Sequence, residues 1–245
     1  MTMEMWKLGF YMDRLKLVLL MVLIFPLLIV LDRLSGFKDT SSWGEDVVDA
    51  AVAYGVGLVT SAAVLAVLGI IEPSMSASEI AGKVALQSVP AGFGAVLASS
   101  QFSGGGNRQE RARLEGGYGT EMILMVVGAL FFAFNVAPTE EMIYIAFRIT
   151  AWHAIALVVL TILAMHAFVY AVNFSGSAKA PEGASIWMLL FRFAMPGYVI
   201  SLLISAYVLW TFGRFGNHAP AAMLRETVVL AFPAGLGAAA ARLVI

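Results

Sequence analysis

The chain has 245 residues, 60% of them hydrophobic and 13% charged, with a mean hydropathy of +0.87. Soluble domains carry about 45–50% apolar and about 25% charged residues, so a water-facing core of this length cannot hide so much apolar side chain, and lipid is the solvent for most of the surface. A net charge of −1 leaves no basic excess to neutralise a phosphate backbone, which excludes nucleic acid as a partner, and the lack of cysteine excludes disulfides, thiolate metal ligands and thiol nucleophiles.

Residues 1–14 mix Trp6, Phe10 and Tyr11 with Glu4, Lys7 and Asp13, the blend expected of a segment at the membrane interface. The first apolar run, Leu17 to Leu31, lies between Lys16 and Asp32-Arg33 and contains Pro26. No small-residue cleavage site follows it, so it reads as a retained span rather than a signal peptide. The second span is Val47 to Ile71. It opens with Ser42-Trp43-Gly44-Glu45, a capping-box pattern in which serine and glutamate satisfy free amides of the first turn. The third segment opens in the same way, with Ser76-Ala77-Ser78-Glu79, and runs to about Phe102. Lys83 and Gln87 make it the weakest span, with a re-entrant or interior helix as the alternative.

Ser103 to Gly119 is a glycine-rich, charged linker, and no lysine-serine/threonine pair follows its glycines as a phosphate-binding loop requires. The fourth span is Met122 to Val136. A short interfacial piece, Pro138 to Arg148, leads into the fifth, Ile149 to Val172. A polar loop, Ser175 to Ser185, precedes the sixth span, Ile186 to Phe212, and the seventh is Thr227 to Ile245. The chain is therefore expected to be an all-α, polytopic transmembrane bundle of about seven spans, forming one integral membrane domain over residues 1–245. Lysine and arginine are nearly balanced between alternate loops, which leaves the orientation open.

One phrase occurs twice. Pro90-Ala91-Gly92-Phe93-Gly94-Ala95 matches Pro233-Ala234-Gly235-Leu236-Gly237-Ala238 at five of six positions, at an offset of 143 residues. Paired Pro/Gly-interrupted apolar segments point to a membrane protein built from repeats around a central pathway. The offset predicts a parallel three-one-three repeat, with units 15–102 and 149–245 and a connector span at 120–137. Chance resemblance between Gly/Ala-rich helices is the alternative. A proline inside a span frees a carbonyl and bends the rod. Small residues four apart, such as Gly94 and Ala98 or Gly237 and Ala241, let a second helix come close. The phrase thus serves either a pathway or a helix contact.

Ionisable groups within spans are costly unless paired or hydrated, so each is a functional candidate. Asp46 and Asp49 lie one turn apart, and Ala53, Gly57 and Ser61 continue their stripe. Arg192 lies a turn and a half into the sixth span. The repeat places Asp49 and Arg192 in one leaflet, where they are expected to pair or share a polar cavity. The alternative, preferred for Asp46, is a headgroup-level carboxylate favoured by the helix dipole. At Asn135-Val136-Ala137-Pro138-Thr139-Glu140-Glu141, Thr139 can cap a helix whose first turn carries two acids. The other reading makes Asn135, Glu140 and Glu141 a mouth that attracts cations or relays protons. His153 and His166 are thirteen residues apart on opposing faces of one helix and cannot chelate one metal. No His-Glu-x-x-His, serine elbow or calcium loop occurs, so no catalytic residue, metal or cofactor is expected, and the chain does not read as an enzyme. A retinal protein would need a Schiff-base lysine in a late span, and spans five to seven have none.

Thr2-Met3-Glu4-Met5-Trp6, Asp46-Val47-Val48-Asp49, Pro90-Ala91-Gly92, Phe134 to Glu141, and Tyr207-Val208-Leu209-Trp210-Thr211-Phe212-Gly213 resemble an uncharacterised family of bacterial integral membrane proteins (domain of unknown function twenty-three ninety-one). The resemblance spans nearly the whole chain and is most specific at Asn135 to Glu141. It implies a multi-pass protein of the bacterial inner membrane and carries no activity. Members have a further hydrophobic stretch before the Thr-Met-Glu-Met-Trp motif, so this chain is expected either to be a shorter member or to start late and lack one span. Two functions stay open, ahead of a third class, an enzyme acting on a lipid, for which no clustered nucleophile, base and metal ligands stand out. One is a channel or transporter for a small ion or solute. The other is a non-transporting scaffold or assembly factor, acting as a homo-oligomer or with a partner in a membrane complex.

Overall fold

The structure, a computed structural model, describes residues 3–35, 43–102, 117–174, 186–216 and 218–244. The loop expected at 103–119 lies outside the described residues as far as 116, and its last two residues, Tyr118 and Gly119, instead open a helix; the loop expected at 175–185, and Ser42 of the first capping pattern, also lie outside the described residues. All secondary structure among the described residues is helical. In chain order the helices are α1 (Met3–Tyr11), α2 (Arg14–Ser35), α3 (Trp43–Val67), α4 (Ala77–Phe102), α5 (Tyr118–Val136), α6 (Glu140–Arg148), α7 (Ala151–Phe174), α8 (Ile186–Leu189), α9 (Met195–Thr211) and α10 (Pro220–Val244). A π-helical turn, Leu190–Ala194, joins α8 to α9, so Trp187–Thr211 is one continuous span. Among the described residues, six helices are long and apolar enough to cross a membrane: α2, α3, α5, α7, the α8–α9 rod and α10. The third segment, α4, is as long as these at 26 residues but carries Glu79, Lys83 and Gln87.

The chain divides into two compact units, residues 1–109 with 211–213, and residues 110–210 with 214–245. In the first, α4 is the hub, packing on α1, α2 and α3. The α2 face is a leucine/isoleucine stripe, Leu20, Ile24, Leu28 and Leu31, all fully buried at helical spacing. Leu86, Val89, Phe93 and Val96 of α4 meet it from one face of their own helix. The opposite sides of α2 and α3 expose Val18, Val22, Val52, Val56 and Val59, as helices solvated by acyl chains do. α3 stops at Gly69, whose φ of +69° closes the helix: the Ile70 N–H reaches back to the Leu65 carbonyl at 2.9 Å.

In the second unit the hub is α10, which packs on α5, α6 and α7. Sixty-one per cent of its span is buried, against 11% for α7, which presents Trp152, Ile155, Val159 and Leu163 outward. The span expected as a connector, α5, is a main partner of α10. The π-turn has a local cause. Pro196 has no N–H for the Arg192 carbonyl four residues earlier, while the Met195 N–H bonds to the Leu190 carbonyl five residues back. The Tyr118 hydroxyl donates to that Arg192 carbonyl at 2.9 Å and satisfies it.

Candidate functional site

The two copies of the Pro/Gly phrase occupy different surroundings. In the first unit, α3 and α4 cross where Gly57 faces Gly92: a Cβ at Gly57 would lie 2.9 Å from the Gly92 nitrogen. A Cβ at Gly92 would touch Tyr54 at 3.3 Å and Leu28 at 3.4 Å. Gly94 and Ala98 are exposed, and a Cβ at Gly94 would meet nothing within 4 Å. In the second unit, Gly237 abuts Gly128 of α5 backbone to backbone. A Cβ at Gly128 would run into the Gly237 carbonyl and come within 2.7 Å of the Ala241 Cβ. Gly235 faces α7, with Thr161 Cγ2 at 2.8 Å and Met165 Sδ at 3.1 Å from an added Cβ. Pro90 and Pro233 are half-buried.

The acidic pair on α3 separates by environment. Asp46 is in the first turn, as the dipole argument expects, and it is fully buried. Arg33 of α2 accounts for this: its Nη1 lies 2.8 Å from Asp46 Oδ2, and its guanidinium stacks 4.2 Å over the Trp43 ring. Desolvating a carboxylate is tolerable only with such a partner. Asp49 is half-buried. The expected stripe is present at Asp46, Gly57 and Ser61, with Ala50 and Leu65 completing it. Arg192, in the other unit, is exposed, and its guanidinium lies 5.2 Å over the Tyr118 ring and 5.8 Å over Phe193.

The second capping pattern holds in its first half. Ser76 Oγ accepts the Glu79 N–H at 3.2 Å, while the Glu79 carboxylate lies 2.7 Å from the Lys83 ammonium. At the expected mouth, Thr139 occupies the N-cap position of α6, but its hydroxyl donates to the Val136 carbonyl at 2.8 Å instead of accepting an N–H. Glu140 and Glu141 are exposed in the first turn, where the dipole favours them. The Asn135 amide donates to the Phe131 carbonyl at 2.7 Å. Arg214 donates to the Pro138 carbonyl, tying the turn before α6 to the segment that leads into α10.

That segment holds a pair the sequence reading did not single out. Glu226 lies in the second turn of α10 and is 0% exposed. Its Oε1 is 2.8 Å from Nδ1 of His218, at ion-pair distance but off hydrogen-bond alignment. The His218 side chain is 32% exposed, and its ring stands edge-on to Phe147 of α6 at 5.4 Å. The neighbouring Arg225 reaches the Ile149 carbonyl at 3.4 Å. The seventh span was expected to begin at Thr227, just after these charges, whereas α10 begins at Pro220. Proline at a first helical position is a start signal, and it marks this helix two turns earlier. His153 is exposed beside Thr150 Oγ1 at 2.8 Å, and His166 holds a buried Nδ1 in α7. Among the described residues no three His, Asp or Glu side chains gather as a metal site.

A family model described as "Putative integral membrane protein (DUF2391)" matches residues 1–245. The chain belongs to this family. No curated protein and no solved structure matches it. As a multi-pass integral membrane protein, this DUF2391 member sits in a lipid bilayer. Its buried ionisable groups are therefore deprived of water on their helix faces as well as in the core. Among the described residues, buried Asp46 lies 2.8 Å from Arg33, buried Lys83 2.7 Å from Glu79, and buried Glu226 2.8 Å from His218.

Proposed function

We propose that this protein is a channel or transporter for a proton or small ion in the bacterial cytoplasmic membrane, with the Glu226–His218 pair at the entrance of its pathway. The observation that carries the reading is a fully buried carboxylate 2.8 Å from a partly exposed imidazole. An imidazole can both accept and donate a proton through its two ring nitrogens. A proton passed from water to His218 finds the buried Glu226 carboxylate 2.8 Å away, so the pair forms a step from solvent toward the α5–α10 core. In this reading Arg192 and the exposed Glu140–Glu141 pair, which belong to the same compact unit as Glu226, tune access, and the protein needs no cofactor and carries no enzymatic activity. The test is proton flux into liposomes holding the purified protein and a pH-sensitive dye. Flux above empty liposomes that falls at least tenfold in Glu226→Gln and His218→Ala supports the reading, tenfold being about 1.4 kcal/mol on a barrier. Flux equal to that of empty liposomes, or unchanged in a folded Glu226→Gln variant, refutes it.

A second reading has its own observation in favour. The Gly57–Gly92 and Gly128–Gly237 crossings are closed backbone on backbone, leaving no room for a hydrated path at those points. Such dry seams suit a static scaffold or assembly factor. That role predicts no flux and a stable homo-oligomer or co-purifying membrane partner.

A further inference from the structure

α1 is fastened to α4 by two glycines. A Cβ at Gly9 would lie 2.8 Å from the Lys83 backbone, and one at Gly82 would strike the Gly9 carbonyl and the Arg14 guanidinium. With Met5 and Gly9 buried, α1 lies directly on the first turns of α4. Beside this contact is an open cleft of about 360 Å3, within the roughly 300–1,000 Å3 usual for small-ligand sites. Its lining includes Trp6, Lys7 and Phe10 from α1, Ile70 from the turn after α3, and Glu79 and Lys83 from α4.

The lining has a definite chemistry. Lys83 is held in place, with its side chain 9% exposed and its ammonium 2.7 Å from Glu79, 3.3 Å from Met75 Sδ and 3.4 Å from the Ile70 carbonyl. Lys7 is exposed. Two ammonium groups against one carboxylate leave the cleft with a formal excess of one positive charge. The Trp6 indole N–H is buried and has no hydrogen-bond partner among the described residues, so the wall also holds an unused donor. Phe10 and Tyr11 stand 54% and 76% exposed at its edge, rings of the kind that settle at headgroup depth. The next helix, α2, exposes Leu15, Val18, Leu19 and Val22, a strip on which acyl chains can lie.

We propose that this cleft binds the phosphodiester headgroup of an anionic phospholipid, with Lys7 toward the phosphate, the Lys83–Glu79 pair in the wall and the aromatic edge against the glycerol region. The apolar strip of α2 and the ring edge favour a lipid over a free anion. The site is independent of the transport reading, since it uses none of the residues assigned there. The test is native mass spectrometry of the full chain released from detergent. It is titrated with phosphatidylglycerol, phosphatidylethanolamine or glycerol 1-phosphate. Phosphatidylglycerol is expected to bind more tightly than phosphatidylethanolamine. Lys7→Gln should weaken it about fivefold, the effect of one basic residue at an anionic surface, while Arg148→Gln on α6 leaves it unchanged. Lys7 is exposed, so its replacement spares the fold. Equal binding by wild type and Lys7→Gln overturns the proposal, as does equal weakening by Arg148→Gln. Phosphatidylethanolamine binding as tightly as phosphatidylglycerol removes the anionic selection. Glycerol 1-phosphate binding as tightly as the lipid removes the lipid as the ligand.

Discussion

Replacing Gly128 by alanine tests how tightly α5 and α10 are seated. The new methyl would collide with the Gly237 carbonyl and stand 2.7 Å from the Ala241 Cβ. Carbon atoms rest at about 3.5–4.0 Å, so the helices must part by roughly 1 Å at this crossing. Overpacking a closed contact costs about 1–3 kcal/mol, and the obstacle here is backbone, which places the cost near the top of that range. Alanine recovers about 0.5–1 kcal/mol of helix propensity over glycine, leaving a net loss of about 2 kcal/mol. That is roughly a 30-fold fall in the folded-to-unfolded ratio, at tenfold per 1.4 kcal/mol. Gly94→Ala is the control, because nothing lies within 4 Å of its added carbon. It should keep the propensity gain and melt at or above wild type. Thermal melting of detergent-purified protein, followed by loss of the monodisperse size-exclusion peak, reads both. If Gly128→Ala melts at or above wild type, or Gly94→Ala falls by as much, the packing argument is wrong.

Tyr118→Phe should strip the Arg192 carbonyl of the donor that replaces the missing Pro196 N–H. A loss of about 1 kcal/mol is expected in the same melting assay, and Tyr144→Phe, whose hydroxyl accepts from the exposed Arg148, should change it less. Arg33→Ala leaves Asp46 buried without its guanidinium. Because Arg33 is itself 45% exposed, the expected loss is about 2 kcal/mol, below the roughly 3–5 kcal/mol of fully buried pairs. The double variant Arg33→Ala/Asp46→Ala should be more stable than Arg33→Ala alone, and a double variant no better than the single one would remove the pair from the account.

Much of the helix map follows from local chemistry. The apolar runs, the Ser76 cap and the acid-first, Arg148-last order of α6 are written in adjacent residues, and each appears where those residues put it. The charged sites were harder to read. Asp46 looks like a dipole-stabilised carboxylate until Arg33, thirteen residues earlier on another helix, is brought against it. Glu226 looks like a loop charge before the last span, because hydropathy alone starts that span after it. Pro220 moves the start back two turns, and the turn before it carries His218 to the carboxylate. Thr139 sits at the position its sequence context assigns, yet the Val136 carbonyl takes its hydroxyl.

The repeated phrase divides most clearly what each level determines. Composition alone put this chain in lipid, since 60% hydrophobic residues have no other solvent, and the phrase alone fixed two proline-bearing, glycine-notched helices. It could not say which notch would be filled. Gly94 and Gly237 hold equivalent places in the two copies, but one is open and the other is pressed against the Gly128 backbone. A glycine in a helix offers only the absence of a side chain. Whether another backbone enters that space depends on where the neighbouring helix crosses, and the crossing is set by packing between residues far apart in the chain.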